Sequence, residues 1–141
     1  MKITLLAAVL LALALVPGAV SQTPKTAKHH IVFEVTEPEG AAWDSLVKHV
    51  NNTRNALAAD GGSQVEVVFW GAGLNMLRKT NIAYEERLKQ LVDDGVTLSA
   101  CQNAMRVMNV KTEDMFPFVS QVDSGIAQIV RRQEAGWAYI H

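Results

Sequence analysis

The chain has 141 residues, 49% hydrophobic and 19% charged, with a formal net charge of −1. That length suits one domain, and the apolar content excludes a disordered chain. A pI of about 6.4 excludes a protein built to coat nucleic acid or an anionic membrane. One cysteine excludes a disulfide framework and any multi-thiolate metal centre.

Lys2 precedes a strongly apolar run from Ile3 to Val16. Pro17 and Gly18 follow, then the small residues Ala19 and Ser21. This is the order of a secretory signal peptide, with cleavage expected after Ser21. The run is about 14 residues, short of the roughly 20 that a spanning helix needs. The expected organisation is therefore a signal peptide over 1–21, a flexible polar leader over 22–28 and one domain over 29–141. Cleavage removes Lys2 alone among the charged residues. It leaves 12 basic against 14 acidic residues, a net charge of −2. The mature protein is expected to be periplasmic or secreted, with no membrane attachment after cleavage and no nucleic-acid partner.

His29 to Thr36 (HHIVFEVT) is rich in β-branched and aromatic residues and reads as a strand. EPEG is a turn. From Ala42 to Asp60 apolar positions recur at three- and four-residue steps, an amphipathic helix stopped by Gly61-Gly62. Gln64 to Trp70 (QVEVVFW) is a second, almost wholly apolar strand. GAGLNMLRKT reads as a loop. Asn81 to Asp94 is a second helix ending at Gly95, Val96 to Ala100 a third strand, and Cys101 to Val107 a short helix. Val119 to Val122 is a short fourth strand. Asp123 or Ser124 caps a helix that runs to about Ala135, and Trp137 to Ile140 is a terminal strand. Strands alternating with helices predict an α/β fold: a three-layer sandwich whose five-stranded, mainly parallel sheet has helices on both faces.

Open α/β sheets build their sites at the carboxyl ends of strands. Three loops qualify: Glu37 to Gly40, Gly71 to Thr80, and the junction at Cys101. VTLSACQNAM puts Cys101 where a strand hands over to a helix. Unpaired first-turn N–H groups and the helix dipole favour a thiolate there. A thiolate is the nucleophile of sulfur transfer and disulfide exchange. Asn103 is placed to donate a hydrogen bond to a bound anion, with Gln102 beside it. Asn75 and Met76 of the facing loop are expected to line the same pocket, and Gly71 and Gly73 to let backbone approach a ligand. The GAG lacks the third glycine of a dinucleotide fingerprint, and no Walker loop is present. His29 and His30 point to opposite faces of their strand, a poor chelate. No metal and no cofactor are expected.

GVTLSACQNAMRVMNV and EDMFPFVSQVDSGIAQIVRRQEAGWAYI, with HHIVFEVTEPEGAAWDSLVKHVNNTRNAL and QVEVVFWGAGLNML, resemble the DsrE/DsrF-like family in its small exported, single-domain branch. The resemblance spans about residues 28 to 140. It implies a compact α/β sandwich and a homo-oligomer. In sulfur-transfer members a loop cysteine accepts sulfur as a persulfide, and Cys101 is the matching position. Any enzymatic activity would then be sulfurtransferase-like, with a sulfur donor or acceptor protein, or a small thiol, as partner. Sulfur-relay members are cytoplasmic, so an exported chain departs from their pattern. The leading expectation is an exported sulfur carrier, or a sulfur or redox sensor, acting through Cys101. The alternative is a non-catalytic ligand-binding or oligomeric interaction module in which the cysteine is structural.

Overall fold

The computed structural model describes residues 26–141. The expected signal peptide and most of the leader lie outside these residues. The elements run β1 (His29–Val35), α1 (Ala41–Leu57), β2 (Ser63–Phe69), a 3-10 segment (Gly71–Leu77), a 3-10 turn (Ile82–Tyr84) leading into α2 (Glu85–Asp93), and β3 (Thr97–Cys101). Then follow α3 (Gln102–Val107), a 3-10 turn (Thr112–Asp114), β4 (Ser120–Val122), α4 (Gly125–Glu134) and β5 (Ala138–Ile140). The sheet order is β4-β3-β2-β1-β5 and every pairing is parallel.

This order dictates which helix covers which face. The steps from β1 to β2, β3 and β4 all move in one direction, so right-handed connections put α1, α2 and α3 on one side. The step from β4 back to β5 reverses direction and carries α4 to the other side. Side chains follow the period of two. Ile31, Phe33, Val35, Val67 and Phe69 meet Trp43, Leu46 and Val50 of α1 and Leu88 and Leu91 of α2 in the larger core. Val32 and Val68 face the other way, onto Ile129 of α4, with Trp70 and Trp137 alongside.

The α4 side is the thinner and the more polar. Glu66, 1% exposed in the middle of β2, faces it. Ser99 donates to Glu66 Oε1 at 2.5 Å, Gln128 Nε2 lies 3.1 Å from both carboxylate oxygens, and Arg132 pairs with Oε2. The Arg132 guanidinium also stacks 4.2 Å from the Trp137 ring centroid. These partners satisfy both carboxylate oxygens of a side chain taken out of water.

Helices α2 and α4 each end on a left-handed glycine, Gly95 (φ 89°) and Gly136 (φ 86°), and α3 ends on Asn109 (φ 51°). At each end the following amide bonds back across the last turn, as from Val96 to Leu91 and from Trp137 to Arg132.

The structure departs from expectation chiefly after β2. Residues expected as a loop form the 3-10 segment Gly71–Leu77. Leu74, Met76 and Leu77 are fully buried there, and the coil pairs backbone groups locally while those side chains enter the core. The helix expected from Asn81 opens instead as a 3-10 turn that seats Tyr84 edge-on against Trp43, with centroids 5.4 Å apart.

Candidate functional site

β3 delivers Cys101 onto the α4 side of the sheet, in line with Ser99. Its backbone is extended (φ −74°, ψ 114°) and it is the N-cap of α3. Sγ accepts a hydrogen bond from the Ala104 N–H at 3.4 Å. A cap sulfur in this position meets one of the orphan amides that any helix start leaves over. Cys101 is 5% exposed and is one of the residues lining a cavity of about 280 Å³.

Three segments meet around it. The end of β2 contributes Trp70 and Gly71, and α3 contributes Asn103, Ala104, Val107 and Met108. The start of α4 contributes Ser124, Gly125 and Ile126. Ser124 is the N-cap of α4, accepting from the Ala127 N–H at 3.3 Å, so its own hydroxyl proton remains free to donate. Asn103 Oδ1 accepts from Arg106, which leaves the Asn103 amide N–H groups for the cavity.

The Trp70 ring is held from two sides. Nε1 donates to Glu34 Oε1 at 2.6 Å. A Cβ on Gly125 would stand 3.0 Å from the ring, so any larger residue there would have to push α4 and Trp70 apart by a few tenths of an ångström. The other oxygen of Glu34 accepts from Tyr139 and lies 3.2 Å from His141 Nδ1. That bond to a carboxylate pushes the Tyr139 phenol up to about 12. Beside the cavity, a bidentate bond from Arg131 at 2.7 and 2.8 Å holds the Asp123 carboxyl well below the ordinary range.

The sequence-derived candidates separate into two groups. Cys101, Asn103 and Gly71 meet at the cavity. Gln102, Asn75, Met76 and Gly73 do not. Gln102 turns to Gln121 at 3.3 Å in a different groove, beyond α3. Met76 is fully buried in the larger core. Asn75 is engaged within its own segment, its Oδ1 with Arg78 and its carbonyl with Asn81. Gly73 packs against the end of β1, where a Cβ would lie 2.3 Å from the Val35 carbonyl oxygen. Sequence reasoning missed the α4 contribution. The signal was present: Asp123-Ser124-Gly125 is a fourth strand-to-helix junction at the same sheet edge. Among the described residues no group of three or more His, Cys, Asp or Glu could hold a metal ion, and no helix is long and apolar enough to cross a membrane.

The DsrE/DsrF-like family model matches residues 35–141. A solved structure, a protein of unknown function, MTH1491 from Methanobacterium thermoautotrophicum, is 33% identical with a TM-score of 0.68. The match covers 79% of this chain and 97% of that one. No curated protein matches. A match over that much of the sequence, on a five-stranded parallel α/β sandwich, makes this chain a member of the DsrE/DsrF-like family.

Proposed function

We propose that the protein is an exported sulfur carrier in which Cys101 receives and passes on a sulfur atom. Family membership supports a sulfur-relay role in general. The observation that carries the specific reading is the cap position of Cys101, with its sulfur on the Ala104 N–H at 3.4 Å in a residue that lines a cavity at the strand ends. The thiolate attacks the outer sulfur of a donor R–S–SH. A new S–S bond forms at Sγ, the donor's S–S bond breaks, and its electron pair leaves with the thiolate RS⁻. An acceptor thiolate then attacks the outer sulfur of the Cys101 persulfide and regenerates the Cys101 thiolate. The Ala104 amide stabilises negative charge on Sγ before loading and after discharge. Export rests on residues 1–21, and the mature chain begins at Gln22.

The second reading, a binding module with a packing cysteine, draws on the 5% exposure of Cys101. One experiment separates them. Full-length protein is expressed with its leader, recovered from the periplasm or medium, treated with a persulfide donor, alkylated, and weighed intact. The expected result is a chain starting at Gln22 that carries one added sulfur atom, absent in Cys101→Ser. A native thiol that neither gains sulfur nor alkylates until the chain is denatured would give the case to the packing cysteine.

A further inference from the structure

Building on the sulfur-carrier reading, we infer that the Cys101 cavity selects an uncharged organic sulfur compound with an apolar or aromatic body, and rejects inorganic sulfur oxyanions such as thiosulfate. Apart from the Cys101 thiolate of the carrier reading, no residue lining the cavity carries a charge. Its walls are Trp70, Ala104, Val107, Met108 and Ile126, and its side-chain polar groups are the neutral Asn103 and Ser124. Trp70 Nε1 is already committed to Glu34. Of the cations close by, Arg131 is paired with the Asp123 carboxylate, and Arg106 gives an N–H to Asn103 Oδ1 and lines the separate groove beyond α3.

The chemistry of loading makes this lining decisive. Attack on thiosulfate expels sulfite, a dianion, into a space whose own lining supplies no positive charge, and burying an unpaired charge is costly. Attack on R–S–SH expels a monoanionic thiolate, with the hydroxyl of Ser124 and the amide of Asn103 in the same cavity as neutral donors. Size agrees with this. An apolar protein cavity of about 150 Å³ takes up benzene, so 280 Å³ has room for a benzyl group and two sulfur atoms. Val107 (88% exposed) and Ile126 (57% exposed) extend the apolar surface outward at the cavity wall.

The test uses the full mature chain and two readouts. In the first, benzyl methyl sulfide, which cannot transfer sulfur, and thiosulfate are titrated separately while the backbone amides of Gly71, Ala104 and Gly125 are followed by NMR. Saturable shifts with the sulfide and none with thiosulfate are expected; the reverse pattern overturns the inference. In the second, loading of Cys101 by benzyl hydropersulfide and by thiosulfate is compared by intact mass, each rate normalised to that of free cysteine. The organic donor is expected to lead by on the order of tenfold or more, since the oxyanion alone brings an unpaired dianion into the cavity. Equal or inverted normalised rates overturn the inference and leave the carrier reading standing. Saturable sulfide binding with no loading from either donor does the opposite: the ligand class holds and the sulfur-carrier reading falls.

Discussion

Gly73 shows how a residue type can point to one role and serve another. A glycine in a strand-end loop suggests close approach to a ligand; here the close approach is to the chain's own backbone, 2.3 Å from a built Cβ to the Val35 oxygen. Backbone cannot swing aside as a flexible side chain can. Gly73→Ala is therefore expected to destabilise by about 3 kcal/mol, the upper end of overpacking costs, read as a lower urea midpoint at unchanged slope. Tyr139 gives a test of a different kind. Its phenol is pushed up to about 12 by the bond to Glu34. A raised folded value means the contribution is complete below the unfolded value of about 10 and fades as pH rises through about 12. A near-ultraviolet tyrosinate titration should show a step near 12 that Tyr139→Phe removes and that Glu34→Gln brings earlier. Tyr84 is raised as well, so its own step stays in Tyr139→Phe; a step near 12 that also stays there would refute the assignment.

Among the described residues, α4 is the one helix on its side of the sheet, and its attachment is mixed in character. Ile129 supplies the apolar contact, and Gln128 and Arg132 reach Glu66 from the same helix. Removing one partner of a buried pair leaves a charge without compensation. Arg132→Ala is expected to cost roughly 3 kcal/mol, the low end for such a pair because Ser99 and Gln128 still serve the carboxylate. It should also free the Trp137 ring, seen as a change in tryptophan emission, and a denaturation midpoint within experimental error of the parent would refute the assignment. The start of the same helix closes the Cys101 cavity through Ser124, Gly125 and Ile126. Loosening α4 thus reaches the site as well as the fold. The amphipathic period of α1 and the glycine stops at Gly61, Gly95 and Gly136 were legible in the sequence because they depend on neighbours along the chain. The 3-10 segment Gly71–Leu77 was not, because its conformation is set by where Leu74, Met76 and Leu77 find a core made by other elements.

For the molecule as a whole, the alternation of strands and helices was enough to read a parallel α/β sandwich, since β-branched runs and 3.6-residue periods are local properties. The position of Cys101 at a strand-to-helix handover was equally readable from VTLSACQNAM, and the structure puts it there. What no local pattern carried was the reversal of direction between β4 and β5. That reversal sends α4 to the opposite face and brings Ser124, Gly125 and Ile126 to the sulfur across a gap of more than twenty residues in the chain. Gln102, Asn75, Met76 and Gly73 lie outside the pocket that sequence proximity had offered them. Spacing along a chain constrains which side chains share a face of one element. Which elements share a face of the sheet is settled only when all five strands compete to bury their apolar surface together.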